Sequence, residues 1–267
     1  MRFCGIDVSA KPGDQQLCTL HERRGDDGAP ELVATFFEPG TVEQIARTIQ
    51  GFGYGGAVVG VDAPSGYRLD LLGEGSPARE ALGLPAGRYE RMRVCDALLF
   101  RHGLPLYPVP AAGQARTAWE AWVHVGFGVF EALAPSLGRF RPPRPDGAYE
   151  GAVDAGALRH GRLAETYPDA VFCALLGHRP SPKRTPWGLQ QRIRALRDRR
   201  VVDADGGLWH RTLDELDACA AAYAARALAA GDGLWVGDPD EGVIVLPGAE
   251  LLPRYERLPP PMRQALA

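Results

Sequence analysis

Lysine is nearly absent from this chain: Lys11 and Lys183 are the two present, and arginine supplies the rest of the 30 basic side chains. The 33 acids outnumber them and leave a net charge of -3, which excludes a bulk electrostatic grip on nucleic acid but not a local basic groove. Arginine forks suit bidentate phosphate recognition. Abundant Ala, Gly, Pro and Arg together have a simpler source in the codon bias of a GC-rich genome. The five cysteines, at 4, 18, 95, 173 and 219, never form a C-x-x-C pair. Neither a disulfide framework nor a zinc knuckle is indicated, and reduced, mostly buried thiols are expected. No long apolar run exists either: the most apolar stretch, Trp119 to Leu137, is broken by Glu120, His124, Glu131 and Pro135, which rules it out as a membrane span. The chain opens directly into a strand-like run, with no charged leader and apolar stretch ahead of a cleavage site. A cytoplasmic protein with no membrane partner is expected.

What is present is ordinary globular composition, with 45% hydrophobic and 24% charged residues over 267 positions, enough for one large domain and its own core. Residues 2–8, 15–21 and 31–37 read as three short strands separated by turn residues. Thr41 then caps a helix with the apolar face Val42, Ile45, Ala46 and Ile49, ending at Gly51 and Gly53. Ala57 to Val61 is a continuous apolar strand, as a strand buried on both faces should be. The order so far is βββαβ. Residues from about 65 to 160 are rich in Gly and Pro and read as an insertion covering the sheet. It carries a helix around Arg91 to His102 and another around Thr117 to Leu133, whose Trp119, Trp122, Val123, Phe127 and Phe130 have core spacing. Beyond it come a short strand over Arg162 to Tyr167, a helix over about 169–176, and a basic helix over about Pro186 to Arg199. Thr212 and Glu215 have the spacing of a capping box for a helix over 212–230, stopped by Gly231, whose face of Ala218, Ala221 and Ala225 permits close approach to a sheet. A hairpin-like tail runs from Trp235 to Pro247. The expected fold is therefore α/β, a single domain over 1–267.

Five acids fall at places where such folds gather polar groups. Asp7 and Asp62 each end a strand, Glu165 lies near the end of a third, and Asp214 and Asp217 share one helical face. Carboxylates that converge repel one another unless a proton or cation intervenes, and hard oxygen donors suit Mg²⁺ or Mn²⁺. Two such ions about 4 Å apart can activate water and stabilise the leaving oxygen of a phosphodiester. The commoner roles of such acids, capping a turn or favouring a helix dipole, remain open for each. Arg93 and Asp96 fall on adjacent turns and can simply pair; Lys183 and Arg192 are better placed to meet a phosphate. No Walker loop, nucleophile elbow or His-rich metal motif accompanies these acids.

In this order, GID at Gly5 to Asp7, VDAP at Val61 to Pro64, RVCD at Arg93 to Asp96, ETYP at Glu165 to Pro168, the run from Lys183 through Gly188-Leu189 to Arg192, LDA at Leu216 to Ala218 and EGVIVLP at Glu241 to Pro247 resemble domain of unknown function 429. That family is described as predicted nucleases with a ribonuclease-H-like fold. The resemblance implies a mixed five-stranded sheet flanked by helices and a site built from Asp7, Asp62 and Asp217, with Glu165 and Asp214 as further ligands. It implies metal-dependent nuclease activity and a nucleic-acid partner. Leu213 stands where the family's helix often carries a second acid beside Asp214. Two other readings accompany it: an ATP-binding phosphotransferase of the actin and sugar-kinase class, and a non-catalytic scaffold that binds nucleic acid or a partner. Neither oligomeric state nor DNA against RNA is specified by these motifs.

Overall fold

The computed structural model describes residues 1–53, 56–106, 108–114, 121–144 and 147–258. Three strands open the chain, β1 (Arg2–Asp7), β2 (Gln16–Arg24) and β3 (Pro30–Phe36), followed by helix α1 (Val42–Gln50) and strand β4 (Ala57–Asp62). This is the order the periodicities predict. Thr41 caps α1 as expected, and Gln44 completes a reciprocal capping box with it. β1 to β3 form an antiparallel meander. β4 lies parallel to β1 on its other side.

The next long stretch supplies α2 (Pro77–Ala81), α3 (Val94–Arg101), α4 (Ala121–Leu137) and the short strand β5 (Glu150–Ala152). The predicted start of α4, at Thr117 with Trp119, lies outside the described residues. Strand β6 (Leu163–Glu165), helices α5 (Pro168–Leu176) and α6 (Pro186–Asp198), strand β7 (Val201–Asp203), helix α7 (Leu213–Ala230) and the hairpin β8 (Gly233–Asp238) and β9 (Gly242–Pro247) complete the chain.

The sheet has nine strands in the order β5-β8-β9-β6-β4-β1-β2-β3-β7, which corrects the expected five. The tail hairpin is the main reason. All six residues of β8 and all six of β9 are buried, so the hairpin joins the sheet through β9 beside β6 instead of lying over it. β5 and β7 add one edge each, with three residues apiece, too few for a period to register in sequence. Helices cover both faces. On one, α1 and α4 bury Ile45, Ile49, Val129, Phe130 and Leu133 against Cys4, Ile6, Val59 and Val61. On the other, α7 lies across β1, β2 and β4 with α5, α6 and α3 around it. None of the described helices is long and apolar enough to cross a membrane. All five cysteines are buried and free.

The approach of α7 to the sheet is set by two glycines. A Cβ on Gly5 would fall 1.9 Å from the Ala218 carbonyl oxygen, and one on Gly60 would fall 2.4 Å from the Ala221 carbonyl oxygen. Gly5 and Gly60 are register partners across β1 and β4. Their hydrogen side chains face an alanine-lined stripe of α7, so helix backbone rests almost directly on strand backbone. This contact positions the site.

Candidate functional site

Side chains alternate along a strand, so Asp7 and Asp62, two residues beyond Gly5 and Gly60, point to the same face as those glycines. They are register partners at the ends of parallel strands β1 and β4, on neighbouring strands about 4.8 Å apart. Because α7 is drawn down onto the glycines, Asp217, one residue before Ala218, comes to the same place from the opposite wall. Asp214, one turn earlier, is exposed at the rim. All four acids line one cavity of about 600 Å³, a volume usual for ligand sites. Its other walls include Tyr167, Trp122 and Val109. With Glu165 at the end of β6 also on its wall, all four elements expected to converge there do so.

The electrostatics follow from packing carboxylates together with little water. Burial first, then the Asp217 and Asp214 charges, push the Asp7 carboxyl up to about 7. Asp62 is pushed well above the usual carboxylate range by burial and by Asp7. Both shifts favour the protonated form of the pair, the expected response of adjacent carboxylates without a counter-cation. Asp217 is 2% exposed. Burial raises its pKa, opposed by the Lys183 ammonium, which donates to its Oδ2 at 2.9 Å. Its other oxygen, Oδ1, is buried with no hydrogen-bond partner among the described residues.

Glu165 reaches the same cavity from the end of β6 but is fully engaged. Arg93 donates to its Oε1 at 2.6 Å and to its Oε2 at 2.9 Å, and the Ser65 backbone N–H donates to Oε2 at 2.8 Å. Arg93 also forks onto Asp96 at 2.9 and 3.0 Å. The predicted Arg93–Asp96 pairing is thus present, as half of a buried triad with Glu165. Burial alone would lower the Arg93 pKa, but Asp96 and Glu165 raise it well above its ordinary value. Arg93 is 1% exposed, so it braces Glu165 and the cavity floor.

Arg192 is not brought to the acids. It is buried in α6 and donates to the Ser181 and Gly188 carbonyls and, at 2.6 Å, to Asp169. Its guanidinium also lies over the Phe172 ring. It acts through what it holds: the loop at 181 that carries Lys183, and Asp169, which lines the cavity. Asp169 was not singled out in the sequence as a site residue, and Tyr167 was noticed only within its strand and motif. Their signal was positional, since both follow the end of β6, where the strand hands over to a helix. Glu241 was noticed only within its motif. It accepts from the Leu69 and Val94 N–H groups at 2.8 and 2.7 Å, so it caps α3 from the β8–β9 turn.

Among the described residues, no three His, Cys, Asp or Glu side chains already surround one metal-sized position. The donor set nevertheless fits a hard divalent cation. Asp7 and Asp62 are both shifted toward the protonated form, a cost that a cation would relieve, and Asp217 has a buried oxygen without a hydrogen-bond partner among the described residues. Carboxylate oxygens alone, without thiolate or imidazole, suit Mg²⁺ or Mn²⁺.

No curated protein and no solved structure matches the chain. The family described as "Protein of unknown function (DUF429)" matches residues 5–241, from the glycine ahead of Asp7 to the glutamate that caps α3, and the chain belongs to that family.

Proposed function

We propose that this protein is a divalent-metal-dependent hydrolase of phosphodiester bonds, with nucleic acid as its substrate. The observation that carries the reading is the meeting of Asp7 and Asp62, in register at two strand ends, with Asp217, whose Oδ1 is buried and has no partner among the described residues. Strand order supports it. Five of the nine strands, β3-β2-β1-β4-β6, form an antiparallel meander continued by two parallel strands, which is the ribonuclease-H-like core proposed here. The other four strands are additions at its two edges.

Asp7, Asp62 and Asp217 would hold Mg²⁺ or Mn²⁺, with Asp214 at the rim. Such an ion, when bound, would supply Lewis-acid polarisation and a lowered pKa for water at the site. The chain's own groups do the rest. Lys183, 46% exposed, presents its ammonium beside Asp217, where it can turn toward a phosphate oxygen and stabilise charge developing there. Arg93 holds Glu165 still through two hydrogen bonds, so the end of β6 is fixed relative to β4. Arg192 and Asp169 hold the segment from which Lys183 projects.

Titration with Mn²⁺ by calorimetry, on the wild type and on Asp7→Asn, tests the reading. Binding by the wild type that is lost in the variant, together with Mn²⁺-dependent cleavage of DNA, RNA or hybrid oligonucleotides, is the expected result. Absence of Mn²⁺ binding by the wild type even with oligonucleotide present would overturn it. Thermal stabilisation by Mg-ATP instead would favour a phosphotransferase.

A further inference from the structure

The chain is acidic overall, yet residues 183–200 contain Lys183, Arg184, Arg192, Arg194, Arg197, Arg199 and Arg200 against the single acid Asp198. Six of these seven lie at the surface, Arg192 being the buried one. Helix α6 turns Leu189, Ile193 and Leu196 inward, or partly so. Its outward face, at helical spacing, consists of Trp187, Gln190, Arg194 and Arg197. Exposed tryptophan is unusual, and Trp187 is 37% exposed. A second, Trp209, 52% exposed, sits in a short 3₁₀ turn (Leu208–His210) beside the last turn of α6. The Arg197 guanidinium lies 5.9 Å from its ring centroid. Among the described residues Arg194 pairs with Asp198 at 3.5 Å, and both are well exposed, so the pair is weak and open to exchange.

Cationic forks alternating with accessible aromatic faces are the combination that single-stranded polynucleotides require: guanidinium for phosphate, indole for an unstacked base. A duplex hides its base faces, and an acidic peptide has no use for the indoles. The geometry points to the outward face of α6, with Trp209, as a docking surface for single-stranded polynucleotide. α6 begins three residues after Lys183, so the surface starts where the chain leaves the carboxylate cavity. This rests on the proposed hydrolysis of nucleic acid and names the form of the substrate.

The test uses the full chain carrying Asp7→Asn in EDTA, so that neither metal nor cleavage enters. Binding of fluorescein-labelled dT12 and rU12 is followed by anisotropy over a salt series. Arg194→Gln/Arg197→Gln is expected to weaken binding at least about tenfold and to reduce the salt slope by about 1.4, from about 0.7 per phosphate contact on single strands. Trp209→Ala is expected to weaken it about tenfold, and a 12-base-pair duplex is expected to bind less tightly than either strand. Unchanged affinity and slope in the arginine variant would overturn the proposal. So would an effect of the arginines with none from Trp209, which would mean simple polyanion attraction. A chain that binds no oligonucleotide while the wild type still hydrolyses bis(p-nitrophenyl) phosphate with Mn²⁺ would overturn this docking surface alone; loss of that hydrolysis as well would remove the hydrolase reading.

Discussion

Asp7 is where the chain's chemistry is most sensitive to pH, because its carboxyl titrates near 7 when folded and near 3.8 as an ordinary side chain. A raised carboxyl pKa means the folded state keeps a proton that the unfolded chain releases, so its contribution to stability is present at acid pH and lost as pH rises through about 7. In metal-free buffer, Asp7→Asn is therefore expected to stabilise the protein by about 3–4 kcal/mol at pH 8 and by about 1–2 kcal/mol at pH 5. Thermal melts of both proteins across that range measure the difference, and a constant difference would remove the argument for a raised Asp7 carboxyl. Mn²⁺ should reverse the order at pH 8, since the wild type alone keeps the full donor set. Lys183 predicts the opposite sign for metal. It now neutralises Asp217 at 2.9 Å, and a cation must enter against it. Lys183→Met is expected to bind Mn²⁺ several-fold more tightly, as the lost like charge allows, while phosphodiester cleavage falls at least about 10²-fold. Weaker Mn²⁺ binding in this variant would show that Lys183 assists the metal and does not compete with it.

Between elements, the decisive contact is that of α7 with β1 and β4, and its cause is the absence of side chains at Gly5 and Gly60. A methyl group at Gly5 meets the carbonyl of Ala218 and the amide of Ala222 within 2.2 Å. Both atoms belong to helix backbone, so the helix itself must shift. Gly5→Ala is expected to cost about 3 kcal/mol or more and to withdraw Asp217 from Asp7, weakening Mn²⁺ binding in whatever fraction still folds. Denaturant unfolding compared with calorimetry on the same sample checks both. Thr212→Ala should cost only about 1 kcal/mol because it loosens the capping box and leaves the packed stripe alone. These elements were legible in sequence for distinct reasons. The capping box, the alanine stripe and the strand-end aspartates are local patterns, each set by its own few residues. β5 and β7 were not legible, because three-residue strands take their identity from the edge they pair with. The tail was read as a hairpin, but nothing within Gly233 to Pro247 states that its open edge pairs with β6.

Across the whole molecule, the same distinction separates the parts of the site that were foreseen from those that were not. Asp7, Asp62 and Asp217 announce themselves by position within one element each, whereas the state of Glu165 depends on Arg93, 72 residues away, and on the Ser65 backbone. Arg93 opens α3 and Glu165 ends β6, while Glu241, from the turn after β8, caps α3. A single buried cluster therefore joins the segment between β4 and β6 to the central strands and to the tail hairpin, whose β9 is in register with β6 at Glu165 and Ile244. Arg93 is the cation of that cluster, and removing it leaves Asp96 and Glu165 as buried anions, each at most 3% exposed, a situation that costs about 3–5 kcal/mol. Arg93→Met is expected to lose that much at pH 7. Arg93→Met/Glu165→Gln should recover part of it by removing one of the two anions. Urea unfolding of the three proteins at pH 7 measures the recovery. No recovery in the double variant would mean that shape, not charge, is what Arg93 contributes at the junction of the central strands, α3 and the hairpin.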